Sequence, residues 1–378
     1  MPHAGREYER ARNHDTGPGL RDNVSCLSMA IRRRLVSEWE VAAAARAMHG
    51  AAANKFVSEV TWRSYFRGWL ELRPEIWWRY QAQLTHDRVR LEREPGLARA
   101  YERAVAGNTG IDAFDAWNSE LIETGYVHNH SRMNYASIWT FALGLPWTLG
   151  AAHFHRYLLC ACPAANTLGW RWVVGLQTSG KAYRANPATI RAMSAGRYQV
   201  DARLPDRVEA LREAPPPPAV VPQSETPAAL KTGLFVTTED LQAESVEYAP
   251  AQIAAVAATS DTHGNGSALK QRHVERGLAD GVLRAATHFG VTGKRLAGGA
   301  ALPAAAVAWA QQYGLEQVVT PWLHVSEAAD AFAQVEQALR DAGIAVVRVA
   351  RPYDQAAWPH AAKGFAHFRD RFDPADWG

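Results

Sequence analysis

Cysteine is scarce in this chain. Cys26, Cys160 and Cys162 are the only three in 378 residues, which cannot build a disulfide framework. Cys160 and Cys162 form a C-x-C with no second pair, a poor structural zinc site, and buried inert thiols are the expectation. His128 and His130 are two apart, as are His153 and His155; on a helix such pairs point away from each other, so no metal site is expected. No uninterrupted apolar run reaches about 18 residues, and no charged-then-apolar leader opens the chain. The expected location is therefore reducing and cytoplasmic, with no membrane. Acidic residues are missing from 151–200, a window with six basic ones. The net charge of +3 hides this unevenness: residues 1–200 carry 25 Lys/Arg against 17 Asp/Glu, and residues 201–378 carry 16 against 21. A basic half favours polyanionic partners such as DNA, because Lys and Arg displace condensed counterions.

What is present divides the chain in two. Over residues 1–200, segments 38–49, 56–70, 114–124, 132–143 and 150–161 carry apolar residues at three-to-four spacing, the mark of helices. Ten of the fourteen tryptophans lie there. A helical domain is expected over 1–205. Residues 206–230 hold Pro215 to Pro218, Pro222 and Pro227, which suits an extended linker. Beyond it, over 231–378, strand and helix alternate. Strands are expected at 234–236, 253–258, 317–320 and 344–349, and helices at 268–288, 302–313 and 326–342. That order predicts a small parallel, Rossmann-like α/β domain. No internal repeat is visible.

Two phosphate-loop lookalikes fail on detail. Gly175 to Lys181 fits the first seven positions of a Walker A loop, but Ala182 stands where Ser or Thr would hold magnesium. Gly264 to Leu269 follows a strand but lacks the third glycine of a dinucleotide fingerprint. The helical segment FVSEVTWRSYFR is richer: Glu59 and Arg63 are i,i+4 partners and Trp62 lies on the adjoining face. Richest is the stretch from Thr124 to Trp172, where Asn129, Arg132, Met133, Trp147, Asn166, Trp170 and Trp172 crowd into under about fifty residues. Taken singly, each is better explained as core or surface.

Taken in order, they resemble the DNA photolyase/cryptochrome family. Tyr8 in EYERAR precedes a flavin-phosphate motif reading Val24-Ser25-Cys26-Leu27-Ser28. Glu59, Trp62 and Arg63 match a Glu-x-x-Trp-Arg helix. Thr109, Gly110, Asp115 and Ala116 match the next element. Thr124 through Met133 match a TG-aromatic-x-HN-x-x-RM element. Ala165, Asn166, Gly169, Trp170 and Trp172 close the pattern, which spans residues 1 to about 190.

The resemblance implies FAD held in an all-helical domain and light-driven repair of pyrimidine dimers in DNA. In the alternative, a cryptochrome-like photosensor, no repair occurs and the signal passes to a protein partner. Cofactor contacts fall to Tyr8, Val24, Ser25, Leu27, Ser28, Glu59, Arg63, Arg132, Cys160, Cys162 and Asn166. Asn166 faces flavin N5 and Arg132 lies beside the ring system. A flipped lesion meets Trp62 and Trp172 as walls, Glu59 and Asn129 as polar contacts, and Met133. DNA phosphates fall to Arg12, Arg63 and Arg184, with His130 where an Arg often stands. Electrons reach the flavin through Trp170 and Trp147; the usual outer tryptophan falls near Leu84, with Trp77, Trp78 or Tyr80 as substitutes. The main departure is Cys160 and Cys162, where the family usually carries Asp-x-Asp. Residues 231–378 also resemble the family's α/β antenna domain displaced to the C-terminal side, through GLFVTTEDL at 233–241 and the run from Leu315 to Phe372. Whether an antenna chromophore binds is open.

Overall fold

The structure is a computed structural model that describes residues 1–200, 204–259 and 266–377. The Gly264–Leu269 lookalike therefore begins outside the described residues. The chain forms two compact units. One comprises Met1–Ser28, Ala42–Val60 and Arg73–Pro218; the other comprises Met29–Val41, Thr61–Leu72 and Ala219–Gly378. The two units thus interleave along the sequence, where the pattern of elements alone suggests a helical 1–205 and an α/β 231–378. The proline-rich segment has no regular secondary structure and changes unit at 218/219.

The helices up to residue 200 are α1 (Arg6–Ala11), α2 (Ser28–Arg32), α3 (Glu38–His49), α4 (Asn54–Glu71), α5 (Pro74–Arg93), α6 (Pro95–Val105), α7 (Asp112–Thr124), α8 (Asn129–Ser137), α9 (Trp147–Tyr157), α10 (Pro163–Val173) and α11 (Pro187–Met193). Their ends are chemically signed. α5 has Pro at its start, Glu75 in its first turn and Arg90 and Arg93 in its last, which complements the helix dipole. α8 runs into a π-helical turn, Ile138–Ala142. The segment expected as a helix over 150–161 begins and ends earlier. It ends at Tyr157, because Leu158 turns to extended backbone with ψ 128°.

The second unit contains β1 (Lys231–Val236), β2 (Gln252–Ala258), α12 (Ala268–Phe289), β3 (Thr292–Arg295), α13 (Leu302–Tyr313), β4 (Gln317–Pro321), α14 (Glu327–Asp341) and β5 (Ala345–Val349). All pairings are parallel and the order is β3-β2-β1-β4-β5. Alternate residues of β1 face opposite sides. Phe235 joins Trp309, Val318 and Phe332 on one face, while Leu234 and Val236 join Val256, Leu278 and Val319 on the other. Both faces are covered, which is why these strands read as continuous apolar runs. β3, absent from the expected elements, is an exposed edge strand of sequence TGKR. No helix among the described residues is long and apolar enough to cross a membrane.

The strand order reverses between β1 and β4, and open α/β sheets take ligands at the carboxyl ends of strands at such a point. Here that ground is filled by the chain itself. Arg32 grips Glu239, just after β1, at 2.9 and 2.5 Å. Arg34 grips both oxygens of Asp354, beyond β5, at 2.6 and 2.7 Å and reaches Asp240 at 3.2 Å. Arg351 holds Asp240 at 2.6 and 3.0 Å. All are buried.

Candidate flavin site

The site is assembled on loops that the motifs themselves stitch. Thr109 and Gly110 donate their N–H groups to the Asp115 carboxylate at 3.0–3.1 Å, and the Thr109 hydroxyl donates at 2.7 Å. This motif therefore closes the loop that enters α7. Asp115→Ala strands three donors, and a loss of about 1–3 kcal/mol is expected, measured as a lowered urea midpoint. At the other end of α7, Gly125 takes φ 67°, and an added Cβ would lie 2.6 Å from Leu159. Only glycine suits both constraints, so the TG step is dictated by the turn into α8.

α8 starts with His128, whose ring accepts from the His130 N–H at 3.2 Å. Burial lowers the His128 pKa to about 4, so Nδ1 stays free to accept. Ser131 docks α8 onto Asp15 at 2.7 Å. Asp15 also receives the Trp117 indole at 3.0 Å, the Gly17 N–H at 3.0 Å and the Arg197 guanidinium at 2.8 Å. Burial pushes this carboxyl up, but the Ser131 hydroxyl, Arg197 and the Gly17 N–H outweigh it and hold it below its ordinary value. Asp15 is a hub the sequence does not advertise; its only local sign is the Asp-x-Gly turn.

Arg132 donates Nε to the Val127 carbonyl at 2.7 Å and Nη1 to Cys160 Sγ at 3.7 Å. It lies 5.5 Å from the Tyr126 ring centroid, with Arg21 at 4.3 Å from the same ring. Burial raises the Tyr126 hydroxyl, although Arg132 opposes it. Arg132 makes no ion pair with a carboxylate among the described residues. Cys162 is buried at the entry to α10.

On α10, Asn166 and Trp170 are one turn apart and share a face. Asn166 Nδ2 donates to the Ala151 carbonyl at 2.8 Å, which fixes the carboxamide with its oxygen as the uncommitted group. Trp170 is 3% exposed, packed edge-on against Phe154 and Trp139 at 5.2 and 6.2 Å. Trp172 is 37% exposed and lies 5.7 Å from Tyr183. Tyr183 donates to Asn134 of α8 at 3.4 Å, which ties the neighbour of half-buried Arg184 to the α8 face that also carries half-buried His130; exposed Asn129 and half-buried Met133 share another face of α8.

Tyr8, Arg12 and Glu59 also come together. Tyr8 stacks edge-on against Phe56 at 5.1 Å, and Glu59 pairs with Arg12 at 3.1 Å and Lys55 at 3.0 Å. Burial, with Glu59 adding, pushes the Tyr8 hydroxyl up. In the Val24–Ser28 turn, Cys26 takes φ 52° and exposed Ser25 accepts from the Leu27 N–H at 3.4 Å. A left-handed backbone at a non-glycine costs about 1–2 kcal/mol and recurs at ligand clamps. Trp62 and Arg63 belong to the other unit, where Trp62 stacks on Phe365 at 3.6 Å and 11°. One face of its ring is thus already taken. Of the expected electron path, Trp147 lies 5.5 Å from Tyr80, and Tyr80 lies 5.5 Å from Trp77.

Residues 56–197 match a family model described as the FAD binding domain of DNA photolyase. Through this region the chain is similar to the photolyase/cryptochrome family. It is 34% identical over 175 residues to the deoxyribodipyrimidine photo-lyase of Streptomyces griseus, covering 46% of this chain and 37% of that protein. It is 28% identical over 186 residues to the deoxyribodipyrimidine photo-lyase of Escherichia coli (strain K12), covering 48% and 39%. A cryptochrome DASH from Natronomonas pharaonis is 29% identical over 207 residues, covering 52% and 40%. The chain spans only about two fifths of the length of these relatives. FAD is the cofactor of this photolyase-type domain, and the residues present fit it on two counts. Arg132 is a cation without a carboxylate partner among the described residues, and Asn166 presents a fixed acceptor.

Proposed function

We propose that the chain binds FAD in its helical unit and uses it for light-driven electron transfer that repairs pyrimidine dimers in DNA. The observation that carries this is α10, which puts Asn166 and buried Trp170 on one face and the exposed Trp172 on another. One helix thereby serves a cofactor contact, an electron conduit and a base-stacking surface. FAD held there would supply light-driven one-electron chemistry to the dimer. The protein's part is positioning and electrostatics. Asn166 would offer its oxygen to the flavin, Arg132 would balance negative charge there, and Trp172 with Asn129 and Met133 would receive the flipped bases. The test is a light-against-dark assay of a dimer-containing oligonucleotide with the purified yellow protein. Loss of dimers only in the light is expected, and equal dimer content in both would overturn repair.

A photosensor without repair is the second reading, and two observations favour it. His130 stands where an Arg would meet DNA phosphate, and burial holds its pKa below the ordinary value, so it carries no charge at neutral pH. Arg132 faces a thiol where the family usually has a carboxylate, which leaves its positive charge free to favour anionic flavin. Cys160→Asp is therefore expected to lower the flavin midpoint potential by roughly 60 mV, the one-electron equivalent of a tenfold shift. Spectroelectrochemical titration reads it. A potential that stays put or rises removes this pair from control of the flavin.

A further inference from the structure

Buried rings continue from Trp170 in a second direction. Trp139, fully buried in the π-helical turn, meets Trp170 edge-on at 6.2 Å and 87°. Tyr101 of α6 meets the Trp139 ring edge-on at 5.9 Å and 86°. Edge-to-face contact at these separations is a favoured packing of aromatic rings. Gly150 permits the first of the two contacts. A Cβ there would lie 2.3 Å from the Trp170 ring and 2.9 Å from Trp139 Nε1. Both indoles therefore close over the same bare point of α9, and any side chain would force them apart.

The chemistry of each ring suits its place. Trp139 Nε1 donates to the Pro146 carbonyl at 2.9 Å. That bond strengthens when the indole carries positive charge, so the ring can hold a transient hole and keep its proton. Tyr135 also touches both indoles, at 6.1 Å from Trp139 and 6.4 Å from Trp170, but it is fully buried. Its hydroxyl donates to Asn118 Oδ1 at 3.0 Å, an amide oxygen that also receives His153 Nε2 at 2.9 Å. An amide oxygen is too weak a base to take a phenolic proton, so Tyr135 cannot end the row. Tyr101 is half-buried, the first ring after Trp170 and Trp139 that solvent reaches. A phenol yields an electron readily where its proton can pass to water.

We propose that Trp139 and Tyr101 form a second electron branch into Trp170, separate from the row through Trp147, Tyr80 and Trp77. The branch rests on the proposal that flavin binds beside Asn166. An electron drawn from Trp170 is replaced from Trp139, and that one from Tyr101, whose phenolic proton passes to water. An external thiol then returns a hydrogen atom to the Tyr101 oxygen, and two thiyl radicals pair as a disulfide. Leu84, where the usual outer tryptophan falls, is buried and aliphatic; a tyrosine that solvent reaches supplies the missing outer end.

The test uses flavin-loaded protein carrying Tyr80→Phe, which closes the Trp147 row and removes Tyr80 as a source of tyrosyl radical. Flash electron paramagnetic resonance reads the identity of the radical, and absorption with added thiol reads the rate of photoreduction. A neutral tyrosyl radical is expected after the flash. Adding Tyr101→Phe, which takes one oxygen from a half-buried ring, should abolish that signal. Adding Trp139→Phe, confirmed folded by its flavin content and circular-dichroism melt, should abolish it too and slow photoreduction at least about threefold. A signal that survives Tyr101→Phe overturns the branch without reliance on Trp139→Phe, and an unchanged rate in folded Trp139→Phe overturns it as well. Photoreduction with tryptophanyl radicals alone overturns the branch and leaves flavin binding standing. Protein that takes up no flavin overturns both.

Discussion

Replacing Arg34 with methionine is expected to cost the α/β unit about 3–5 kcal/mol, the loss seen when one partner of a buried ion pair is removed. Arg34 is 1% exposed and Asp354 is 3% exposed. With the guanidinium gone, Asp354 keeps, among the described residues, only His324 at 3.8 Å as an ionic neighbour, and its charge is stranded. The expected readout is a lowered urea midpoint for the unit. The double change Arg34→Met with Asp354→Leu should recover much of the loss, since an apolar pair of similar volume removes both desolvation costs. Arg34→Lys should not recover it, because an ammonium cannot hold both Asp354 oxygens and Asp240 at once. The same cluster sets an acid limit. Arg34 holds the Asp354 carboxyl well below its ordinary value against burial, and Arg32 holds Glu239 at about 2. Both folded pKa values are depressed, so their stabilisation is full above the ordinary carboxylate range. It is lost as pH falls from about 4 through 2. A urea midpoint that is flat from neutral pH down to about 2 would contradict this account.

The cluster also shows where sequence patterning stops. Three consecutive arginines at 32–34 carry every local mark of a solvated basic run. They are buried because Glu239, Asp240 and Asp354 lie more than two hundred positions away along the chain, a separation no periodicity spans. The interleaving of the two units follows from the same long-range pairing. β3 is invisible for a different reason: TGKR is an exposed edge with no apolar alternation. By contrast, β1, β2, β4 and β5 are buried apolar runs, and α12 to α14 have caps and periodicity, so their positions were legible to within a few residues. At the site, ordered motifs located Arg132 and Cys160, which the fold brings to 3.7 Å. Asp15 escaped, since its partners Ser131, Trp117 and Arg197 lie on three separate later segments. Trp62 matched a motif, but nothing in that motif announces Phe365 stacked upon it.

Trp170→Phe is expected to slow photoreduction of the bound flavin by at least about tenfold, equivalent to about 1.4 kcal/mol on the barrier, with flavin content unchanged. The ring is enclosed: an added Cβ on Gly150 would lie 2.3 Å from it, and Phe154 and Trp139 close two sides. Phenylalanine fits that space, so the change removes an oxidisable indole and leaves the packing of α9 on α10 nearly intact. Trp147 lies one turn before Gly150 on α9, and from it the rings continue through Tyr80 to Trp77 at 5.5 Å per step. Leu84, where the usual outer tryptophan falls, is buried and aliphatic. Tyr80→Phe should therefore slow photoreduction as well, whereas Trp78→Phe should not, since Trp78 points to solvent at 57% exposure. Flash photolysis of the oxidised protein with an external reductant separates these cases. Unchanged rates in both Trp170→Phe and Tyr80→Phe would remove this row of rings from the electron path. A slowed Trp78→Phe alone would move the outer end of the path to the surface of α5.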